Sequence, residues 1–200
     1  MSSKPLRQTE RAHRAIQASL RDGDIAIDAT AGNGHDTCFL ANCVGSTGKV
    51  YAIDIQQAAI DATRGLLRKT IGDTKHVELI LGDHAKALAR LVTSIGTQVS
   101  AITFNLGYLP QSNKSIQTTA SSTVRALELS LQLLRADGLL SVIAYRGHPG
   151  GREESEAVER WMRSHESAHA RVDVHLPETT LGPILWQMRR NASLTNSEDS

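Results

Sequence analysis

Asp28-Ala29-Thr30-Ala31-Gly32-Asn33-Gly34-His35-Asp36 is the stretch whose reading decides the fold. Before it runs Asp24-Ile25-Ala26-Ile27, a short apolar run that reads as a buried strand; after it, Thr37-Cys38-Phe39-Leu40-Ala41 opens a helix. A strand, a tight glycine turn and a helix start together form a nucleotide cradle. Gly32 and Gly34 permit positive φ and leave no Cβ in the way of a ligand, and the unpaired N–H groups of the next helix turn face that ligand. A dinucleotide fingerprint wants a third glycine where this chain has Thr37, and no phosphate-loop lysine follows. Asp28 is expected to point its carboxylate into the cradle, where it would repel a pyrophosphate and suit a ligand with a positive amino group. The plain alternative is an ordinary strand-turn-helix in which Asp28 is only a cap.

Two more acids stand at equivalent places. Lys49–Asp54 reads as a second strand, and an acid at its end suits the two ribose hydroxyls; Asp54 can also cap the helix expected from Gln56 to Arg68, whose Ala59, Ala62 and Leu66 should face inward. Val77–Leu81 reads as a third strand ending in Gly82-Asp83-His84. Asp83 there can accept from an adenine amine with His84 beside the ring, or cap a helix over residues 85–92. Three acids at the carboxyl ends of successive strands mark the crevice where such sheets bind ligands. A carboxylate, a G-x-G turn and no third glycine fit S-adenosylmethionine better than NAD. The candidate cofactor residues are Asp28, Gly32, Asn33, Gly34, Asp36, Asp54, Gln56, Asp83 and His84.

The rest of the chain supplies an acceptor side. Residues 99–105 read as strand four, running into Leu106-Gly107-Tyr108-Leu109-Pro110; Asn105 can donate and accept, Tyr108 offers a flat face to a base, and a polar loop with Lys114 follows. A helix over residues 123–134 carries Val124, Leu127, Leu131 and Leu134 on one stripe. Strand five, 139–145, leads into the basic glycine-rich loop Arg146-Gly147-His148-Pro149-Gly150-Gly151-Arg152, where His148 joins Asn105 and Tyr108 as a catalytic candidate. Glu153 and Glu154 suit the start of the next helix, whose buried side is Val158, Trp161 and Met162. Residues 171–176 and 183–188 read as a closing hairpin-like pair of strands. At the other end, residues 5–20 read as a helix with Leu6, His13, Ile16 and Leu20 on a loose apolar stripe and Arg7, Arg11 and Arg14 on one face. That arginine face is either solvated or a phosphate-binding edge.

Two hundred residues suggest one domain, taken as 1–190 with the N-terminal helix included and a disordered tail over 191–200. Aromatics at 4% argue against long stacking platforms for single strands, and a net charge of +1 confines nucleic-acid contact to a local patch. Cys38 and Cys43, five apart in one helix, lie on different faces, so no disulfide is expected and a reducing cytoplasm fits. No zinc-type cluster and no membrane-length apolar run are visible, so neither metal nor membrane is expected as a partner.

The combination Asp28-x3-Gly32-x-Gly34, Asp54, Asp83 and Asn105-Leu106-Gly107-Tyr108 resembles the class I S-adenosylmethionine-dependent methyltransferases. More narrowly, the chain is similar to the bacterial family first labelled rRNA methylases and now associated with tRNA 5-(aminomethyl)-2-thiouridine methylation (MnmM-type). The match lies in residues 28–37, 104–110, 114–116 and 145–154, with a departure at Gln111-Ser112, where the family commonly has glycine. The resemblance implies an α/β, Rossmann-like fold with a seven-stranded, mostly parallel sheet flanked by helices. It implies S-adenosyl-L-methionine as cofactor and methyl transfer to the exocyclic amine of a modified wobble uridine, with the tRNA anticodon loop as partner and Arg146, Arg152 and Lys114 as further holds on phosphate or base. A homodimer is left open. The same chemistry on rRNA, a small molecule or a protein, and a non-catalytic cofactor- or RNA-binding module, are the competing readings.

Overall fold

The structure is a computed structural model and describes residues 6–107, 119–167 and 170–191. The expectations for Tyr108, Pro110, Gln111-Ser112, Lys114 and the tail beyond Asn191 lie outside the described residues.

A near-continuous apolar strand suits a sheet covered on both faces, and the central strands are of that kind, whereas the outer strand Val77–Leu81 has no fully buried residue. The first five strands are β1 (Ile25–Asp28), β2 (Lys49–Asp54), β3 (Val77–Leu81), β4 (Val99–Leu106) and β5 (Leu134–Ala144), joined by β6 (Ala170–His175) and β7 (Ile184–Arg190). The helices are α1 (Gln8–Ser19), α2 (His35–Val44), α3 (Gln57–Thr70), α4 (His84–Ile95), α5 (Ala120–Leu133) and α6 (Gly151–His165). The sheet order is β3-β2-β1-β4-β5-β7-β6; the first five are parallel, and β7 runs antiparallel to both β5 and β6. This is the Rossmann-like, seven-stranded arrangement expected, with the closing pair present as an antiparallel hairpin.

One face of the sheet is covered by α1, α2 and α3 through Ile16, Leu40, Val44 and Leu67; the other by α4, α5 and α6 through Leu88, Leu127, Val158 and Met162. The chain order reverses direction across the sheet between β1 and β4, so the carboxyl ends of these two strands flank a crevice.

Several expected faces turn out differently. Ala62 on α3 is exposed, and Ile60, Thr63 and Leu67 make the buried side with Ala59. The buried stripe runs through Ala59, Ile60, Thr63 and Leu67 at i, i+1, i+4 and i+8, and Thr63, a polar residue passed over by an apolar count, lies at its centre because it packs under the glycine turn. Leu134 is not the end of α5 but the first residue of β5, paired with Val99; the Asp137-Gly138 turn expected between helix and strand is an irregularity inside that strand, with Asp137 at φ 60°. Glu154 stands in the first turn of α6 as expected, is buried there, and accepts a 2.6 Å bond from Thr123 Oγ1. Cys38 and Cys43 are both free thiols, as expected. Among the described residues no helix is long and apolar enough to cross a membrane.

Leu127 is fully buried in the core on the face covered by α4, α5 and α6. Leu127→Ala should destabilise the fold by about 2–5 kcal/mol, read as a lower urea midpoint with an unchanged slope.

Candidate active site

The glycine turn is built over a buried carboxyl. Asp28 ends β1 with 0% exposure; Thr37 Oγ1 donates to its Oδ2 (2.6 Å) and the Thr30 N–H to its Oδ1 (3.2 Å). The carboxyl is therefore turned under the loop, not into the cradle as expected, because Thr37 brings the nearest donor from below. Burial, then the charge of Asp36, push its pKa from 3.8 up to about 7, against the lowering effect of the two hydrogen bonds.

Gly34 takes the positive φ expected of it and serves a second purpose as well. It sits at φ 84° as the N-cap of α2, and a Cβ there would stand 2.8 Å from the backbone of Thr63 on α3. Its missing side chain brings α2 and α3 together as well as allowing the left-handed conformation. Thr63 Oγ1 in turn donates to the Gly32 carbonyl (3.2 Å). Asn33 at the tip of the turn is exposed.

Asp54 holds the turn from the β2 side. Its Oδ2 accepts from the Gly32 N–H and its Oδ1 from the Gln56 N–H, both at 2.9 Å. Each oxygen keeps a further lone pair, so the carboxylate is fixed in direction and still able to take two hydroxyls. Beside it, Ile55 is 54% exposed, and at the end of β3 Leu81 is 52% exposed. Two large apolar side chains left open next to an oriented carboxylate form walls suited to a flat base over a sugar. Sequence reading passed over both; an apolar residue directly after a strand-end acid was the signal available.

Asp83 caps α4 through Lys86 N (3.0 Å) and accepts from Ser122 Oγ (2.6 Å). Burial raises its pKa, but the bonds from Ser122 and Lys86 and the neighbouring His84 outweigh that, so the carboxylate is held below its usual range. The His84 ring does not lie open beside a ligand. It is buried, edge-on to Phe104, with Nε2 3.1 Å from Ser122 Oγ, and desolvation lowers its pKa. Ser122 and Thr123, neighbours in the first turn of α5, thus pin that helix to the β3–α4 turn and to α6.

The acceptor side centres on Asn105, near the end of β4. Its N–H bonds Thr30 Oγ1 (2.7 Å), and its Nδ2 donates to Asp36 Oδ2 (2.6 Å). Its Oδ1 is buried and has no hydrogen-bond partner among the described residues. The other Asp36 oxygen lies 2.7 Å from His13 Nε2 on α1. Burial alone would raise the Asp36 pKa; the bonds from His13 and Asn105 and the charges of His13 and His35 outweigh it and keep the carboxylate ionised. Asp36, grouped with the cofactor residues on sequence, is placed between α1 and Asn105.

Tyr145 was not singled out from sequence. It follows β5 on the strand beside Asn105, is 39% exposed, and its pKa is raised by burial and then by the charge of Asp36. An aromatic at the carboxyl end of a strand next to Asn105 was the missed signal. His148 packs across the same edge: a Cβ on Gly107 would stand 3.4 Å from its Nε2, and one on Gly151 only 2.6 Å. Its Nδ1 lies 3.0 Å from the Pro149 carbonyl, which can only accept, so the neutral ring carries its lone pair on Nε2. Arg146 is committed elsewhere, with Nε and an Nη donating to the Gly182 carbonyl (3.2 and 3.1 Å), which ties the β6–β7 turn to this loop. Arg152, Arg7 and Arg14 are exposed, while Arg11 is half-buried and donates back to the Leu6 carbonyl. Among the described residues no group of three or more His, Cys, Asp or Glu could hold a metal ion.

The family described as putative rRNA methylase matches residues 50–178. A tRNA (mnm5s2U34)-methyltransferase of Arabidopsis thaliana, chloroplastic, is 42% identical over 158 residues, covering 76% of this chain and 57% of its own length. The chain thus spans little more than half of that relative. A crystal structure of a putative rRNA-methylase from Clostridium thermocellum superposes with a TM-score of 0.85 at 32% identity, over 94% of this chain and 100% of that one. A putative methyltransferase from Streptococcus mutans, solved in complex with SAH, gives 0.81 at 32% identity, over 94% and 99%.

Asp28 makes the fold pH-dependent with a definite sign. A folded-state pKa raised to about 7 disfavours the charged form, so the protein should lose stability as pH climbs from about 4 to 7 and level off above. Asp28→Asn should remove that slope, and its melting temperature should gain on the wild type between pH 5 and pH 8; parallel curves would contradict the assignment.

Proposed function

The chain belongs to the family described as putative rRNA methylase, and from that footing we propose that it is an S-adenosylmethionine-dependent methyltransferase acting on tRNA. The acceptor is the aminomethyl group of 5-aminomethyl-2-thiouridine at the wobble position, and the product is the methylaminomethyl form. The observation that carries this reading is the Asn105 amide, with Nδ2 spent on Asp36 and a buried Oδ1 left as an acceptor. An acceptor held in that way suits the N–H of an amine. The tRNA relative supports tRNA as the substrate, and the Streptococcus mutans structure with SAH supports the cofactor.

The residues fit that cofactor. Asp54 would take the ribose hydroxyls, Ile55 and Leu81 would flank the adenine, Asp83 would accept from its amine, and the turn from Gly32 to Gly34 would lie beneath the amino-acid end. When bound, S-adenosylmethionine supplies an activated sulfonium methyl. What remains for the chain is alignment and a proton. Asn105 Oδ1 orients the amine by one N–H and so directs its lone pair. Asp36, ionised behind Asn105, draws a cationic amine to the site. That amine must shed its proton before it can attack, and His148 Nε2 at the Gly107 edge is the candidate to take it. The wobble base lies in a loop, so turning it into the crevice costs less than extraction from a duplex. We place the reaction in the cytoplasm, in keeping with two unpaired thiols.

The direct test is incubation with methyl-labelled cofactor and tRNA carrying the unmethylated base, followed by mass spectrometry of the nucleosides. Label in the methylaminomethyl nucleoside is expected; label found only in rRNA, protein or a small molecule would redirect the reading. Asp54→Ala should weaken S-adenosylhomocysteine binding by roughly 10- to 100-fold, the worth of hydrogen bonds to a charged group, measured by calorimetry. Arg7→Ala/Arg14→Ala should weaken tRNA binding and flatten its dependence on salt by about one to two units of log–log slope; salt-insensitive association would favour a small-molecule or protein acceptor.

A further inference from the structure

We infer that His13 is a positioning residue for methyl transfer: from α1 it anchors the Asp36 carboxylate, and Asp36 sets the Asn105 amide so that Oδ1 faces the acceptor amine. The inference rests on the function proposed above and extends the working site beyond the crevice to the N-terminal helix.

An asparagine amide has two ends of nearly equal shape, and only its surroundings decide which end points where. Beside an ionised carboxylate the choice is forced. Nδ2 facing Asp36 makes a charge-assisted hydrogen bond at 2.6 Å, whereas Oδ1 in its place would set two acceptors against each other. The orientation of Asn105 is therefore only as reliable as the position of Asp36. That carboxylate has one oxygen on Asn105 and the other 2.7 Å from His13 Nε2. His13 is in turn braced: its ring stacks on Phe39 of α2 at 4.0 Å between centroids and 7° between planes. The helix that carries it is fixed through its length. Ala12 and Ile16 are buried against the sheet, Gln8 Nε2 donates to the His175 carbonyl (2.9 Å), and Arg189 donates to Ser19 Oγ (3.0 Å). A chain of contacts thus runs from β7 and α1 through His13 and Asp36 to Asn105. It ends on the one atom of that amide with no partner among the described residues. Since misplacing a reacting group by about an ångström can cost ~100-fold in rate, a residue that never touches substrate can govern turnover from here.

His13→Leu keeps bulk and removes the donor; His13→Gln offers an amide N–H at similar reach. Both are compared with wild type in methylation of tRNA bearing the unmethylated base, in S-adenosylhomocysteine binding, in melting temperature, and in the NMR signals of the Asn105 side-chain amide. Expected for His13→Leu is a fall in kcat of roughly 10- to 100-fold. KM for tRNA and cofactor affinity should stay within about twofold, and the Asn105 amide signals should shift. His13→Gln should recover most of the rate and return the signals. Unchanged kcat in His13→Leu would overturn the inference, as would equal losses in both variants that track melting temperature and cofactor affinity. Should wild type transfer no methyl to this RNA, the proposed function fails and the amide signals decide alone: a shift in His13→Leu reversed in His13→Gln supports the positioning role, and signals unmoved by either overturn it.

Discussion

A carboxyl with no exposed surface, Asp28, lies beneath the glycine turn, and the rest of the site is arranged over it. Thr37 from α2 and the Thr30 N–H close on its two oxygens. Thr30 then spends its own hydroxyl on the Asn105 N–H. One buried acid thus joins the end of β1, the start of α2 and the end of β4, the three elements around the point where the sheet reverses its winding order. A buried carboxyl pays a desolvation penalty that ordinary stability would not tolerate without compensation. Here the two donors and a pKa raised to about 7 are that compensation.

The crevice above it has two halves. On the β2 and β3 side, Asp54, Ile55, Leu81 and Asp83 present an oriented acid, open apolar walls and a second acid. On the β4 and β5 side, Asn105, Tyr145 and His148 present an acceptor, an aromatic ring and an imidazole. Asp36 stands at the seam. It is the first-turn acid of α2, yet its hydrogen bonds lead to α1 and to β4.

Much of this was legible in the chain because it depends on local pattern. Strand runs ending in Asp28, Asp54 and the Gly82-Asp83 turn announce a parallel sheet and its binding edge without any knowledge of packing, and each of the seven strands overlaps a run read as a strand, although β5 already begins at Leu134, where the sequence pattern still read as helix. What was not legible depends on direction and distance. Whether Asp28 faces a ligand or the loop beneath it is decided by Thr37, nine residues on. Whether Gly34 makes room for a ligand or for α3 is decided by Thr63. Glu154 stands in the first helical turn as expected, but that it is buried there depends on α5, which places Thr123 against it. His84 kept its position next to Asp83 but turned inward toward Phe104. Composition cannot carry such information, since each outcome rests on a side chain from a different element.

The antiparallel β7 has a consequence for how this architecture can diversify. Because it runs opposite to β5, its first residue, Ile184, and not its last, lies level with Ala144 at the ligand edge. The turn between β6 and β7 therefore returns to that edge, carrying the exposed Leu176 and Leu181 and gripped by Arg146 through Gly182. It is the end of a hairpin at the margin of the sheet, so its length and composition can drift without shifting the register of a single central strand. The half of the site made by β1 to β3 has no such freedom, since its backbone is bonded into Asp54 and Asp28. The fold keeps one half of the crevice fixed by backbone hydrogen bonds and leaves a replaceable margin beside the other.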